Sequence, residues 1–384
     1  MGNGADMSDT TGGLRHDLSD AGLLRAGLER LQAILPAGWE VQLSGSEVAG
    51  ELSVRADTVV SIRAQSGGGG QVIVGARQHL TPRGVEELTR GPAEALRRQY
   101  QMPLLVVAPV LSARTRDRLR QAGICYVDLT GPAFLTLASP GLHVELAGPS
   151  RAAPARPASG RPTLRGPRAG RVLRLLTDVA PPYGVGELAR AAGVSVAYTS
   201  RLLDGLDAEA LLTRGRRGLV AAVDWAGCLR RWAEAYALLR THTGVGAIAR
   251  HGVPAVLDAL RAQAGPWAIT GSYAAVRLAP VAAPALLVVY AADPTALLEP
   301  LQLLPAADGH DVVLLRPADR FVYARAQRTD GLRYAAPSQV ALDCLTGPGR
   351  MPAEGEALLT WMAEHAAAWQ VPALAALPTA PDGG

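Results

Sequence analysis

A short glycine-containing segment holds three arginines whose spacing suits phosphate binding. The segment LLTRGRRGLVAAV places Arg214, Arg216 and Arg217 around two glycines and between two apolar stretches. A guanidinium group is planar, permanently charged and able to donate two parallel hydrogen bonds to one phosphate group. The pattern predicts strand, turn, strand, with the three arginines at the tip of a hairpin, where they could contact a phosphate backbone.

Three amphipathic helical segments precede this hairpin, which is the element order of a winged helix-turn-helix. Gly193 breaks the chain after the second segment, and Ser195 is well placed to cap the third. The predicted core-facing residues are Leu173, Leu175 and Leu176 in the first helix, Val185, Leu188 and Ala189 in the second, and Val196, Leu202, Leu203 and Leu206 in the third.

The third helix of such a motif enters the major groove of DNA with its first turns. We therefore expect the stretch from Ser195 to Arg201 to contact base edges. Its candidate contacts are Ser195, Ala197, Tyr198, Thr199, Ser200 and Arg201. The alternative is a small winged helix used only for protein contacts. The arginines of the hairpin favour DNA.

Composition sets limits on the rest of the chain. Its 384 residues suffice for two or three domains, and a formal net charge of +4 permits nucleic-acid binding without demonstrating it. The three cysteines, Cys125, Cys228 and Cys344, are widely spaced and form no Cys/His cluster, which argues against a disulfide framework and a zinc site. With no signal-peptide core and no membrane-spanning run, we expect a cytoplasmic protein without membrane, metal or cofactor.

The first part of the chain predicts a mixed sheet flanked by helices. Residues 1–19 are polar and predicted to be disordered, and residues 20–147 are predicted to form one domain with the order α-β-β-β-α-β-α-β. Its helices are predicted near 20–35, 82–100 and 112–122, and its strands at 39–43, 52–64, 71–78, 104–108 and 124–129.

This order is that of a restriction-endonuclease-like fold, and the stretch PLLVVAPVLSARTRDRLRQAGICYVDLTGPAFL resembles its second half in a known family. That family is the actinobacterial regulators of the abortive-infection antitoxin (AbiEi-like) type. The resemblance implies an Asp at one strand and an Asp/Glu-x-Lys on the next, which together hold Mg²⁺ and position water. Here the positions fall on Asp57 and on Gly75-Ala76-Arg77.

The second carboxylate and the lysine are therefore missing, and we expect a degenerate nuclease domain without catalytic residues. Glu47 or Glu51 could supply a carboxylate from an earlier strand, which is the alternative. Asp128 is isolated at a strand end and is interpreted as a turn or capping carboxylate.

A basic linker is predicted at residues 148–169, where Pro and Gly break any regular element. It has two interpretations: a solvated tether between domains, or an arm whose arginines lie along DNA phosphates. Its arginines are Arg151, Arg156, Arg161, Arg165 and Arg168, of which the last three are the predicted phosphate contacts. The winged helix and one further helix, at 224–241 with Leu229, Trp232, Tyr236 and Leu239 buried, complete a domain at 170–242.

Residues 243–370 are predicted to form a C-terminal α/β domain. The turn at Gly271-Ser272, between a strand and a helix, resembles the start of a nucleotidyltransferase fold, but the following strand carries no carboxylate before Asp293. We therefore expect no metal-dependent nucleotidyl transfer there. A helix at 294–304 and a strand at 311–317 are also predicted, and the tail at 371–384 is predicted to be mobile.

The stretch from Asp330 to Met362 resembles the C-terminal domain of the same antitoxin-type regulators, where a Ser-Gln helix precedes a Gly-rich turn and a last helix. In one interpretation Ser338 caps the helix while Gln339 and Asp343 satisfy backbone groups of the glycine turn. In the other, an effector or partner pocket lies between this helix and the Gly271 turn. Its residues would be Gly271, Ser272, Ser338, Gln339 and Asp343.

The sequence thus predicts a mixed α/β protein that regulates transcription by binding double-stranded DNA as a homodimer. A repressor or autoregulator of the AbiEi antitoxin type is the main hypothesis, and no enzymatic activity is expected. Two alternatives stay open. One is a nuclease or nucleotidyltransferase directed to DNA by the winged helix, and the other is an antitoxin that neutralises a cognate toxin protein.

Overall fold

A computed structural model describes residues 19–43, 57–65, 67–138, 141–147 and 163–376. The chain divides into two compact units, Met1–Arg156 and Pro157–Gly384. The disorder predicted at 1–19, the strand start predicted at 52 and the mobile tail predicted at 371–384 lie largely outside the described residues. So do Glu47, Glu51, Arg151, Arg156 and Arg161. The predicted tail is ordered at its start, where Val371 pairs with Val179 and Leu374–Ala376 forms a 3-10 turn.

The first unit is a seven-stranded sheet flanked by four helices among its described residues. Its elements in chain order are α1 Asp20–Ile34, β1 Trp39–Leu43, β2 Asp57–Ala64, β3 Gly69–Ala76, α2 Pro82–Leu88, α3 Pro92–Tyr100, β4 Leu104–Ala108, α4 Ala113–Gln121, β5 Cys125–Asp128, β6 Ala133–Leu137 and β7 Leu142–Leu146. The strands follow chain order across the sheet. Pairs β3–β4 and β4–β5 are parallel and the other pairs are antiparallel.

Helices cover both faces of this sheet because its central strands are apolar on both sides. Leu23 and Leu31 of α1 pack on one face with Val107, while Val85 of α2 and Leu119 of α4 pack on the other. Gly27 lets α1 approach β4, since a Cβ at this position would overlap the side chain of Val107.

The predicted elements of this unit are present with two corrections. The polar helix predicted at 82–100 is two helices, because the chain turns at Thr89–Gly91 and Pro92 starts α3. Strands β6 and β7 were not predicted. They are short and half-exposed, so they lack the continuous apolar run that marks the central strands.

The second unit begins with helices, and its later part contains another seven-stranded sheet that is followed by further helices. Its elements are α5 Pro167–Asp178, α6 Val185–Ala192, α7 Val196–Ala208, β8 Leu212–Arg214, β9 Val220–Val223, α8 Trp225–Ala233, α9 Leu238–Thr241, β10 Thr243–Ala249, α10 Gly252–Arg261, β11 Trp267–Thr270, α11 Ser272–Ala275, β12 Leu287–Ala291, β13 Leu303–Pro305, β14 Val312–Arg316, β15 Gln327–Thr329, β16 Leu332–Tyr334, α12 Pro337–Leu345, α13 Met351–Glu364 and α14 Ala366–Trp369. Strands β8 and β9 pair as a hairpin, and the large sheet has the order β13-β10-β14-β12-β11-β16-β15.

One apolar core runs from α5 through α8 into this large sheet and α12. Leu173 and Leu176 of α5, Leu229 of α8 and Leu342 of α12 all belong to it and are fully buried. The segments predicted as separate domains at 170–242 and 243–370 therefore pack as one body. The described part of the chain has no helix that is both long and apolar enough to cross a membrane.

Several predicted boundaries in this unit are wrong. Helix α5 starts at Pro167, and Leu164 is already 2% exposed, so the linker predicted to reach 169 ends earlier. The helix predicted at 224–241 breaks after Ala233, which exposes Leu239 and buries Leu238 instead. The predicted helix at 294–304 is a 3-10 turn, Thr295–Leu297, followed by strand β13.

Candidate functional site

Helix α7 has the start that its sequence predicts. Gly193 ends α6 with a left-handed backbone (φ 63°), which a residue without a Cβ adopts readily. Ser195 then accepts a hydrogen bond from the backbone N–H of Tyr198 at 3.3 Å and caps α7. Leu202, Leu203 and Leu206 are buried, which fixes the opposite side of α7 toward solvent.

The solvent side of α7 differs from the predicted one at two positions. Thr199 is fully buried, and its hydroxyl donates to the carbonyl of Ser195 at 3.1 Å, so it cannot contact bases. Val196, predicted to face inward, is 55% exposed, because the buried stripe begins one turn later at Thr199. Ser200 and Tyr198 are half-buried. The side chains left exposed on this side are Ser195, Val196, Ala197, Arg201 and Asp204.

The hairpin after α7 is built on a tight arginine turn. Gly215 donates to the carbonyl of Leu219 at 2.7 Å, and Arg217 has a left-handed backbone (φ 57°) at the tip. The segment before α6 pairs with one strand of this hairpin, because Tyr183 forms an antiparallel bridge with Val220 of β9. This bridge fastens the hairpin to the helices that precede it.

The three arginines of this segment have different surroundings. Arg216 and Arg217 are exposed at the tip. Arg214 is not a free phosphate ligand as predicted: only 17% of its side chain is exposed, and it bonds Asp204 of α7 at 2.5 Å and the carbonyl of Gly218 at 2.9 Å. It therefore ties the hairpin to α7.

The predicted phosphate contacts of the linker are only partly described. Arg165 and Arg168 are exposed, and Arg168 belongs to the first turn of α5 rather than to a linker. Arg161 lies outside the described residues. The two described arginines bring positive charge to the N-terminal end of α5.

The backbone brings the predicted nuclease-like positions to one edge of the first sheet. Asp57 of β2 is the register partner of Gly75 of β3. Arg77 follows β3 directly, and its backbone N–H donates to Val107 at 2.8 Å. Asp128 lies at the end of β5 and accepts hydrogen bonds from the backbone of Leu111 and from Thr130, as its interpretation as a turn carboxylate predicts.

The turn at Gly271 and Ser272 is filled by the last long helix. The hydroxyl of Ser272 donates to the buried carboxylate of Glu354 at 2.5 Å. A Cβ at Gly271, which has φ 65°, would overlap the side chain of Met351. Since α13 occupies the space beside the turn, the turn offers no room for the triphosphate that the nucleotidyltransferase comparison would require.

Helix α12 uses its polar residues differently from both predicted interpretations. Ser338 does not cap the helix; its hydroxyl donates to the carboxylate of Asp178 in α5. Gln339 accepts from the guanidinium of Arg174 at 2.7 Å and donates to Asp343 at 2.9 Å. The polar side of α12 thus faces α5, and the glycine turn at 347–349 is not its partner.

Asp343 is fully buried and accepts four hydrogen bonds. Its donors are the hydroxyls of Thr270 (2.6 Å), Tyr236 (2.6 Å) and Tyr290 (2.8 Å), and the amide of Gln339 (2.9 Å). Burial raises the pKa of Asp343, and the bonds from Thr270 and Tyr236 act in the opposite direction. Every lone pair of the carboxylate has a donor, so this group is a structural centre of the core.

His242 extends this network and is held neutral. Its Nδ1 accepts from the backbone N–H of Ala318 at 3.0 Å, so the ring proton lies on Nε2, which is 2.7 Å from the hydroxyl of Tyr236. Burial lowers the pKa of His242, and nearby Asp343 opposes the shift. The sequence pattern shows Tyr236 and Tyr290 only as core aromatics and does not single out His242.

An open cavity of about 260 Å³ lies beside this network, between α5, the α8–α9 segment and residues 318–322. The predicted pocket between α12 and the Gly271 turn is closed by the contacts above. Gln339 is the one member of that predicted set that lines the open cavity. Within the described residues, no group of three or more His, Cys, Asp or Glu side chains could hold a metal ion.

Comparisons with known proteins assign no family. No family model matches the chain, and neither does any curated protein. One solved structure, "Structure of EndoMS in apo form", is 20% identical over 30% of this chain with a TM-score of 0.21. The match spans about half (47%) of that protein. A superposition this poor identifies neither a shared fold nor a shared activity.

Two regions of the second unit therefore stand out. One is the exposed surface formed by α7 and the arginine hairpin, which could lie against a polyanion. The other is the open cavity with its charged and aromatic walls.

Proposed function

We propose that this chain is a sequence-specific DNA-binding regulator of transcription, in which residues 170–223 form a winged helix-turn-helix. The supporting observation is the position of two exposed arginines, Arg216 and Arg217, on a hairpin fastened to a capped helix whose outer side is free. An α-helix fits the major groove of B-DNA, so α7 is the element that enters it.

Base contacts in this proposal come from the first two turns of α7. Arg201 is exposed and can donate two hydrogen bonds to a guanine edge, and Ser200 beside it can donate or accept. Val196 and Ala197 present methyl groups that suit the C5-methyl of thymine. Thr199 takes no part because it is buried.

Phosphate contacts come from the hairpin tip. Asp204, on the same helix, would repel a phosphate if its charge were free. Arg214 pairs with it at 2.5 Å, which neutralises it and leaves Arg216 and Arg217 to meet the backbone. Arg165 and Arg168 add positive charge at the N-terminal end of α5 and extend the proposed contact, together with Arg161.

The first unit supports a regulator more than a nuclease in this proposal. Asp57 faces Gly75 across the strand pair, and Arg77 stands where a nuclease of this type needs lysine. We propose that this unit is a restriction-endonuclease-like fold that has lost its second carboxylate and serves assembly, in a regulator of the AbiEi-like type that the sequence resembles. A homodimer would present two copies of α7 to an inverted repeat.

The test is DNA binding by the full chain to a site recovered by footprinting bound genomic DNA. Replacing both tip arginines, Arg216→Ala with Arg217→Ala, removes two phosphate contacts. We expect weaker binding to every sequence and a salt slope reduced by about two units. The measurement is fluorescence anisotropy between low and moderate salt.

The matched control removes the same charge elsewhere in the same unit. Arg250 and Arg328 are exposed at positions remote in sequence from the hairpin, and the pair Arg250→Ala with Arg328→Ala should leave affinity and salt slope near the wild-type values. Equal losses in the two double variants would show a non-specific charge effect, and no loss in either would refute the proposed role of the hairpin.

A further inference from the structure

The open cavity in the second unit has the features of a built binding site. It is enclosed on one side by α5 and on the other by Trp232, Tyr236 and residues 318–322, with Gln339 of α12 among its walls. Its volume of about 260 Å³ is just below the roughly 300–1,000 Å³ of small-molecule pockets. A compound of one or two rings is the size that suits it.

The charged walls of the cavity favour an anion. Three arginines, Arg165, Arg171 and Arg174, line it. Two carboxylates pair with them: Asp319, which also lines the cavity, bonds Arg171 at 2.7 Å, and Asp178 bonds Arg174 at 3.1 Å, which leaves one positive charge in excess. The start of α5 also borders the cavity at Gly166 and Pro167, and this helix end has no side-chain cap. The positive end of the helix dipole adds to the charge of the arginines.

One wall of the cavity is formed by a buried arginine, Arg174. Its side chain is 1% exposed, and Gln339 and Asp178 hold it in place at 2.7 and 3.1 Å. Its Nε–H has no acceptor in the described part of the chain. Leaving this buried donor unsatisfied is costly, so a ligand that draws the guanidinium toward the cavity and supplies an acceptor would stabilise this wall.

Apart from Thr241, His242 and Gln339, the remaining walls are apolar and largely flat. Trp232 and Tyr236 have ring centroids 5.8 Å apart, and Phe321 lies under the guanidinium of Arg174 at 5.6 Å. Leu164, Ala235 and Val322 complete the apolar lining. Such walls recognise the faces of an aromatic ring, while the arginines recognise a charged group attached to it.

We propose that this cavity binds a small aromatic carboxylate, and that this ligand regulates DNA binding. The regulatory part rests on the proposed function, because α5 carries Arg171 and Arg174 and is also the first helix of the proposed winged helix. Asp319 and Phe321 lie at a 3-10 turn after β14, and Gln339 lies in α12, so these walls belong to the C-terminal part of the unit. A ligand that contacts both sides stabilises one arrangement of α5 and its neighbours over others.

The first experiment measures ligand binding without DNA. Benzoate and indole-3-acetate are the probes, and their amides, benzamide and indole-3-acetamide, are the uncharged controls. Saturation-transfer NMR and calorimetry on the full chain should show both carboxylates binding at least ten-fold more tightly than the amides. Equal binding of acid and amide, or no binding of either acid at millimolar concentration, would overturn the proposal.

Two glutamine variants on one helix locate the site. Arg171→Gln removes a lining charge and should weaken carboxylate binding at least ten-fold. Arg168→Gln removes an exposed charge of the same helix that does not line the cavity, and it should bind like the wild type. The filling variant Ala235→Leu should also lose binding while keeping the wild-type circular dichroism. Similar binding by all three variants would refute the assignment.

The second experiment asks whether the ligand acts on DNA binding. Saturating indole-3-acetate should change the affinity of wild-type protein for its site at least five-fold, and should leave Arg171→Gln unchanged. An unchanged wild-type affinity would refute the regulatory part alone. A chain that binds the carboxylate and no DNA would refute the proposed function while the cavity assignment stands.

Discussion

The arginines of the second unit fall into two contrasting groups. Arg174 is buried, and its neighbours Gln339 and Asp178 give it hydrogen-bond partners inside the core. Arg216 and Arg217 are exposed at the tip of a hairpin. The same residue type therefore fixes the arrangement of helices in one place and offers charge to the surroundings in the other.

This contrast shows why arginine content alone predicts little in a chain rich in arginine. A guanidinium with protein partners is held in place and its charge is partly compensated, whereas a free one at an exposed tip can meet a phosphate without losing a partner. Arg214 lies between the two groups, since it was predicted to bind phosphate and instead bonds Asp204. Substitutions of buried polar groups should therefore lower stability more than substitutions of exposed ones.

The largest effect is expected at the centre of the buried network. Asp343→Asn replaces one acceptor oxygen of the carboxylate by an amide NH₂ group, which can only donate. That NH₂ group then lies against two of the four groups that donate to Asp343, which are Thr270, Tyr236, Tyr290 and Gln339. Leaving two buried donors without acceptors costs about 2–5 kcal/mol. We expect the free energy of unfolding to fall by this amount, measured by urea denaturation followed through tryptophan fluorescence.

The control for this change is an exposed carboxylate of the same unit. Asp330 lies at the turn between β15 and β16 with a left-handed backbone (φ 52°), which asparagine tolerates. Asp330→Asn should shift the urea midpoint by little. If Asp343→Asn shifted it no more than this control, the buried network would not stabilise the core.

A smaller effect concerns the pH dependence of stability through His242. Burial holds its pKa in the folded state below the ordinary 6.5 of the unfolded chain. On acidification the unfolded state takes up its proton first, so stability is present above about pH 6.5 and is lost as the pH falls from there toward the folded pKa. The pKa of Asp343 is raised in the folded state, so its contribution to stability has the opposite pH dependence. That contribution is present below the ordinary pKa of 3.8 and is lost as the pH rises from there toward the folded pKa.

The two contributions are separated by a variant. His242→Gln removes the titrating ring, so its stability should fall less than that of the wild type between pH 6.5 and 5. Urea midpoints at several pH values measure the difference. Parallel pH profiles for the two proteins would contradict a neutral, buried His242.

Much of the fold is predictable because its signals are local. Leu104–Ala108 and residues 312–315 are continuous apolar runs, as expected of strands buried on both faces. Ser112 and Ser195 mark helix starts through short-range hydrogen bonds to the backbone. Strands such as Leu303–Pro305 are three residues long and largely exposed, so pairing with β10, which is distant in the chain, decides their conformation.

The candidate sites were predictable only where they depend on one segment. The exposed tip at Arg216 and Arg217 follows from a single hairpin. The cavity instead needs Arg171, Trp232 and Phe321, which come from three separate parts of the chain. Tertiary packing brings them together, and the spacing of residues in the sequence does not predict that packing. For the same reason the partners of Asp343 could not be named from its helix alone.

The smallest effect is expected at the boundary between the buried and exposed groups of α7. Thr199→Val keeps the shape of a fully buried side chain and removes a hydroxyl that bonds only the carbonyl of Ser195 among the described residues. Since Thr199 cannot reach a base, DNA affinity should stay within about two-fold of the wild type.

Arg201→Ala, two residues along and exposed, should instead lose about 1–3 kcal/mol of discrimination at one base pair. Anisotropy titrations on the footprinted site and on single-base variants compare the two. A loss of base discrimination in Thr199→Val comparable to that in Arg201→Ala would mean that α7 meets DNA through a different face from the one described, with the buried stripe rotated outward on binding.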